Sequence, residues 1–194
     1  MKHLDPAYRS ALIVSAALNL IMFFTEGGVG LWIGSAALLA DAIDFLEDFG
    51  IYTLGVAAIA WAAKSRARAG LFMAFAMFGV GLVAVGQVVE RLIEGGAPAS
   101  LPMAGTAAVA LAVNLYCASR LAPYKRGDAS MRSIWLSTRN DVILNALTIA
   151  AAALVAMTMT AWPDIVAGLI IAGVNLWAAG EIAVQARQEL RQHA

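Results

Sequence analysis

Apolar positions gather into six long stretches, and most polar positions fall between them. The stretches run roughly from Tyr8 to Leu31, Gly34 to Ala62, Ala69 to Leu92, Leu101 to Leu121, Ser130 to Thr158 and Pro163 to Leu190. About 20 apolar residues suffice for a helix to cross the hydrocarbon core of a bilayer. The breaks between stretches carry charge or turn chemistry: "GLWIGS", "KSRARAG", "EGGAPASLP", "RLAPYKRGDASMR" and "TAWPD". Pro163 suits the first turn of the last helix, where its missing N–H is no loss. The pattern predicts an all-α, polytopic membrane protein with six transmembrane helices.

Composition agrees. Of 194 residues, 61% are hydrophobic and 13% charged, against about 45–50% and about 25% in soluble domains. The apolar excess is spread along the chain, so residues 1–194 read as a single membrane domain. No polar segment is long enough for a separate soluble domain, and no signal peptide is evident. The net charge of zero gives no general attraction to nucleic acid. The single cysteine, Cys117, excludes an internal disulfide or a Cys-rich metal site. The two histidines, His3 and His193, lie at the ends.

Basic residues set the orientation. Lys2 and Arg9 precede the first stretch, and Lys64, Arg66 and Arg68 follow the second. Arg120, Lys125, Arg126 and Arg132 surround the break after the fourth, and Arg187 and Arg191 close the sixth. All fall on one side if both termini are cytoplasmic, as the positive-inside rule requires. Arg91 lands on the far side and Arg139 falls within a span.

The second stretch breaks the apolar pattern. "LLADAIDFLEDFGIY" places Asp41, Asp44, Glu47 and Asp48 near the middle of its span. At about 100° per residue, Asp41, Asp44, Asp48 and Tyr52 share an arc of roughly 80° on one helix face. A carboxylate at the bilayer centre costs about 2.5–3.5 kcal/mol on the insertion scale. Several together must therefore face the bundle interior or a water-filled cavity. Aspartates one turn apart repel, and a bound cation or shared protons would relieve that repulsion. The alternative is a structural polar network or residues that snorkel from a helix end.

The fifth stretch supplies partners. In "SIWLSTRNDVILNALTIAAA", Ser137, Asp141, Asn145 and Thr148 form a continuous polar stripe. The second helix descends and the fifth ascends, so Asp44 and Asp48 can meet Asp141 at similar depth. Asp44, Asp48 and Asp141 with the Ser137 hydroxyl make a candidate four-oxygen metal cage. Asn140 or a water could take the place of Ser137, since a helical serine often bonds its own i−4 carbonyl. Arg139 points about 160° away from Asp141 and reads as a snorkelling residue or a partner for Glu47. Asn19, Glu26, Gln87 and Asn175 read as helix–helix hydrogen-bonding residues, with an outer vestibule as an alternative place for Glu26. The small residues of "EGGVGLWIGS" read as sites of close helix approach.

With these residues placed, the chain resembles the cation diffusion facilitator family over essentially its whole length. The second-helix motif "SAALLADAIDFLED" matches the family signature through Ser35, Asp41, Asp44 and Asp48. Ser137 and Asp141 in "STRNDV" match its second pair, and "NLIMFFTEGGVGLWIGS" is similar to its first span. The resemblance implies a homodimeric six-span exporter of divalent transition metals, most often zinc, exchanged for protons. It also implies that Asp44, Asp48, Ser137 and Asp141 are the metal ligands. Departures are equally plain. Serine stands at 137 where the family usually has histidine, and "KSRARAG" replaces a His- and Gly-containing motif. No His-rich loop joins the fourth and fifth spans. The expectation is a short member without the C-terminal cytoplasmic domain.

An oxygen-only site suits Mn²⁺, Fe²⁺, Co²⁺, Zn²⁺ or Cd²⁺ as transported cargo, without the soft donors that favour zinc. No cofactor is expected. Clustered carboxylates cannot all stay ionised in a partly desolvated site, so protons would replace a departing metal. Metal/proton antiport out of the cytoplasm follows. The rival readings are a small proton-coupled exporter of organic cations and a non-transporting membrane partner or sensor. An enzyme is not expected, because no nucleophile–base pair, HExxH or phosphate loop is evident. The expected partners are the lipid bilayer, the metal, protons and a second copy of the chain. Abundant alanine and a preference for arginine over lysine point to a cell membrane, the bacterial inner membrane.

Overall fold

The computed structural model describes residues 5–57, 61–126 and 129–192. Lys2, His3, His193 and the side chain of Arg132 lie outside the description, as do residues 58–60 near the expected end of the second helix. Six α-helices occupy the described residues: α1 Pro6–Ile33, α2 Ala36–Ala57, α3 Ala63–Glu94, α4 Ser100–Leu121, α5 Ala129–Thr158 and α6 Trp162–Gln192. Each coincides with one of the six apolar stretches. Five of them are long and apolar enough to cross a membrane; α2 is the exception. Its four acidic residues take it out of that class, and its depth in the bundle explains how it tolerates them.

Helices pair most extensively as α1 with α2, α3 with α6, and α4 with α5, while α2 also packs on α3, α5 and α6. From Ala36 to Asp48 every α2 residue except Glu47 is buried. The outer surface is the reverse. Phe72, Phe75, Ile93 and Trp177 are more than 70% exposed, which is tolerable where lipid rather than water is the solvent. The chain is an all-α, multi-pass membrane protein.

Three glycines shape the bundle. Gly34 ends α1 in the left-handed region, φ 65° and ψ 43°, where a side chain is strained. At Gly168 a Cβ would come within 2.7 Å of the Ala36 backbone carbon. Glycine there lets α6 lie directly against the first turn of α2. Gly30 plays a similar part between α1 and Leu38–Leu39, whereas a Cβ on Gly28 would meet nothing.

The turn between α1 and α2 is clasped from two sides. Arg91 of α3 donates to the carbonyls of Gly34 (2.7 Å) and Ile33 (2.5 Å). These are C-terminal carbonyls of α1 that the helix itself leaves unpaired, at the negative end of its dipole. This gives a structural role to Arg91, the basic residue that the charge pattern leaves on the far side. Asp164, in the first turn of α6, accepts hydrogen bonds from the N–H groups of Ala36 (2.8 Å) and Ala37 (3.1 Å). The Ser35 hydroxyl accepts from Leu38 N–H (3.2 Å), so the free donors of the first turn of α2 are satisfied.

A cavity of about 630 Å³ opens between the C-terminal half of α2, the N-terminal halves of α3 and α5 and the C-terminal half of α6, with Glu47, Arg66, Ser137, Trp177 and Glu181 in its wall.

Candidate metal centre

The carboxylates of α2 all turn inward except Glu47. Asp41, Asp44 and Asp48 are buried, and Asp141 joins them from α5. The Asp141 carboxyl lies against that of Asp48 and feels the charges of Asp44 and Glu47. One oxygen each of Asp44 and Asp141, Oδ2 in both cases, is buried with no hydrogen-bond partner. A buried carboxylate oxygen without a donor is costly. A proton or a cation would satisfy them.

Asp48 is held differently. The Tyr52 hydroxyl, one turn along α2, donates to Asp48 Oδ2. It also meets the Thr138 hydroxyl of α5 at 2.5 Å, and Thr138 donates back to the Ile134 carbonyl at 3.0 Å. Asp48 is thus tied to both helices through one phenol.

Ser137 is half-buried and sits in the cavity wall beside Glu47. The buried hydroxyl in this part of α5 belongs to its neighbour Thr138. Asn140 is exposed and accepts from Arg139, which stacks over Trp135. That places Asn140 away from the carboxylates and gives Arg139 partners other than Glu47. Among the described residues, no three His, Cys, Asp or Glu side chains converge as a ready set of metal ligands. The acids are gathered, while Asp48 is engaged by Tyr52 and Ser137 stands to one side.

Asp41 belongs to a neighbouring layer. It accepts from Asn145 Nδ2 at 3.2 Å and from the Thr148 hydroxyl at 3.3 Å. Asn145 Nδ2 also reaches the Asp141 carbonyl at 3.0 Å. The polar stripe of α5 thus meets the acidic stripe of α2 along both layers.

The isolated polar residues divide. Asn175 donates across to the Ala40 carbonyl at 2.9 Å, a helix–helix bond as expected. Asn19 bonds Ser15 in its own helix and reaches Cys117 of α4 at 3.8 Å. Gln87 bonds Glu90 within α3 instead of crossing to another helix. Glu26 is fully buried, within electrostatic range of Asp41 and Asp44, with both carboxylate oxygens unpartnered. Its inward aim depends on how α1 is rotated against α2, which its own local sequence did not reveal.

A buried acidic centre inside a polytopic helical bundle defines a membrane transporter of cations. The family comparison agrees: the model of the cation efflux transmembrane domain matches residues 12–191. The chain belongs to that family, the cation diffusion facilitators, whose members are transporters. No curated protein matches the chain.

Proposed function

We propose that this protein exports a divalent transition metal from the cytoplasm in exchange for protons, with Asp44, Asp48 and Asp141 as the transport site. The observation that carries the reading is the pair of buried, unpartnered oxygens of Asp44 and Asp141 beside Asp48. Oxygen donors of this kind take Mn²⁺, Fe²⁺, Co²⁺, Zn²⁺ or Cd²⁺.

The cytoplasmic cavity supplies entry. Its wall carries Glu47, next to Asp48 in sequence, and Ser137, one turn before Asp141. A cation arriving there meets carboxylate first and a hydroxyl second. Ser137 completes the site as a fourth oxygen, with Asp48 binding through Oδ1 while Tyr52 holds its Oδ2.

Proton exchange follows from shared oxygens. Metal and protons compete for the same carboxylates, so metal binding expels protons and metal release takes them up. If the site opens alternately to each side, the proton gradient drives metal outward. The bacterial inner membrane and a homodimeric assembly are part of the same reading.

The test is flux in vesicles of purified, reconstituted protein loaded with one of the five metals at a time, with internal pH recorded. Metal movement coupled to opposite proton movement supports the reading. Metal movement without proton movement would make the protein a uniporter or channel. No movement of any metal would favour a sensor or partner role.

A further inference from the structure

The outer layer of the acidic centre holds more hydrogen-bond acceptors than donors. Glu26 of α1 is fully buried, and neither Oε1 nor Oε2 has a donor. Asn145 of α5 is also fully buried; its amide nitrogen is spent on Asp41 and on the Asp141 carbonyl, and its Oδ1 has no donor either. The Asp41 carboxylate accepts from Asn145 and Thr148. The Glu26 carboxylate feels the charges of Asp41 and Asp44.

A structural polar network pairs donors with acceptors. Here three buried acceptor atoms on two helices, Glu26 Oε1 and Oε2 and Asn145 Oδ1, have no donor, and two of them belong to an acid beside another acid. A bound cation satisfies all three at once, whereas a proton on Glu26 supplies a single donor. The backbone favours the arrangement. A Cβ on Gly27 would lie 4.0 Å from the Ala42 Cβ, and Gly30 lets α1 close on Leu38 and Leu39. Small residues at this seam bring the α1 backbone, and with it Glu26, against the face of α2.

We propose that Glu26, Asp41, Asn145 and Thr148 form a second cation subsite, on the extracellular side of Asp44, Asp48 and Asp141. Its donors are two carboxylates, an amide oxygen and a hydroxyl, which suit a hard divalent cation of the Mn²⁺ kind. Asp41 stands one turn nearer than Asp44 to the Ser35 end of α2. Asn145 and Thr148 stand one and two turns nearer than Asp141 to the Thr158 end of α5. A cation leaving the transport site outward would pass this layer next. The proposal rests on the reading of the centre as a cation path, and its residues are distinct from those assigned to transport.

The experiment measures Mn²⁺ binding to purified full-length protein by equilibrium dialysis and by the Mn²⁺ electron paramagnetic resonance signal. The proteins are wild type, Glu26→Gln, Thr148→Val and Asp141→Ala. Glu26→Gln keeps the shape and one oxygen, and Thr148→Val keeps the volume while removing the hydroxyl. The expected result is two classes of bound Mn²⁺ in the wild type. Glu26→Gln loses one class and keeps the other, Thr148→Val weakens that same class by about tenfold, and Asp141→Ala keeps the class that Glu26→Gln loses. Retention of one class by each variant also shows that it is folded.

A single class that vanishes in Asp141→Ala and is untouched by Glu26→Gln overturns the subsite and leaves the transport site standing. A class lost in Glu26→Gln and Thr148→Val, with no class lost in Asp141→Ala, upholds the subsite and refutes the transport-site assignment. Binding of no Mn²⁺ by the wild type overturns the subsite as stated.

Discussion

The Ser35 hydroxyl donates to the Asp164 carboxylate across 2.6 Å, although 129 residues separate them in the chain. The same carboxylate caps the first turn of α2 through two backbone N–H groups. It therefore fixes where the acidic helix begins, and with that the depth of every carboxylate on it. Replacing Asp164 with alanine strands two buried N–H groups. The expected loss of stability is about 3 kcal/mol, read as a lower unfolding temperature in detergent. Ser35→Ala should cost about 1 kcal/mol. An unchanged unfolding temperature in Asp164→Ala would show that the clasp does not hold the fold.

Asp48→Ala and Asp141→Ala should each abolish metal flux in vesicles while the protein still inserts and unfolds cooperatively. Each removes a carboxylate from a centre with few oxygens to spare. Wild-type flux in either variant would refute the transport-site assignment.

Tyr52→Phe tests a positioning role. The phenol ties Asp48 to Thr138 and touches no other proposed ligand. Without it Asp48 loses its orientation, and metal affinity should fall by about tenfold, as losses of hydrogen-bonded support around a metal ligand commonly do. Calorimetry reads the affinity. A drop in unfolding temperature with unchanged metal affinity would make Tyr52 purely structural.

Ser137→His should move metal preference toward zinc. Ser137 lies in the cavity wall, one turn before Asp141, and imidazole is the borderline-soft donor that zinc favours. Competition among Mn²⁺, Co²⁺ and Zn²⁺ is the measurement. The same ranking in both proteins would mean that residue 137 does not face the bound metal.

Metal affinity should weaken as pH falls, because protons and metal compete for the same carboxylates. For each proton released per metal, affinity drops by about tenfold per pH unit through the range in which that proton is bound. Binding heats should then vary with the ionisation enthalpy of the buffer. Asp44→Asn removes one carboxylate and should flatten the pH dependence as it lowers affinity. Buffer-independent heats would end the antiport reading.

The hydrophobic pattern alone determined the six helices, because a bilayer requires long apolar runs and leaves few other ways to satisfy a backbone within it. It also determined that α2 lies inside the bundle, since four acids near mid-span cannot face lipid. Helical periodicity put Asp41, Asp44 and Asp48 on one face and Ser137, Asp141, Asn145 and Thr148 on another, and the structure brings those faces together at Asp141, Asn145 and Thr148 but not at Ser137. Periodicity gives angles within one helix, however, and not the rotation of one helix against its neighbour. The packing of α1 on α2 decided that Glu26 is fully buried with both oxygens unpartnered instead of making a helix–helix hydrogen bond. The packing of α5 decided that Thr138 is buried against Tyr52, while Ser137 borders the cavity and Asn140 faces outward. The clasp of Ser35 and Asp164 joins residues with no local relation at all. Such contacts follow from how small residues such as Gly30 and Gly168 let helices approach, which is a property of pairs of surfaces and is not carried by either segment alone.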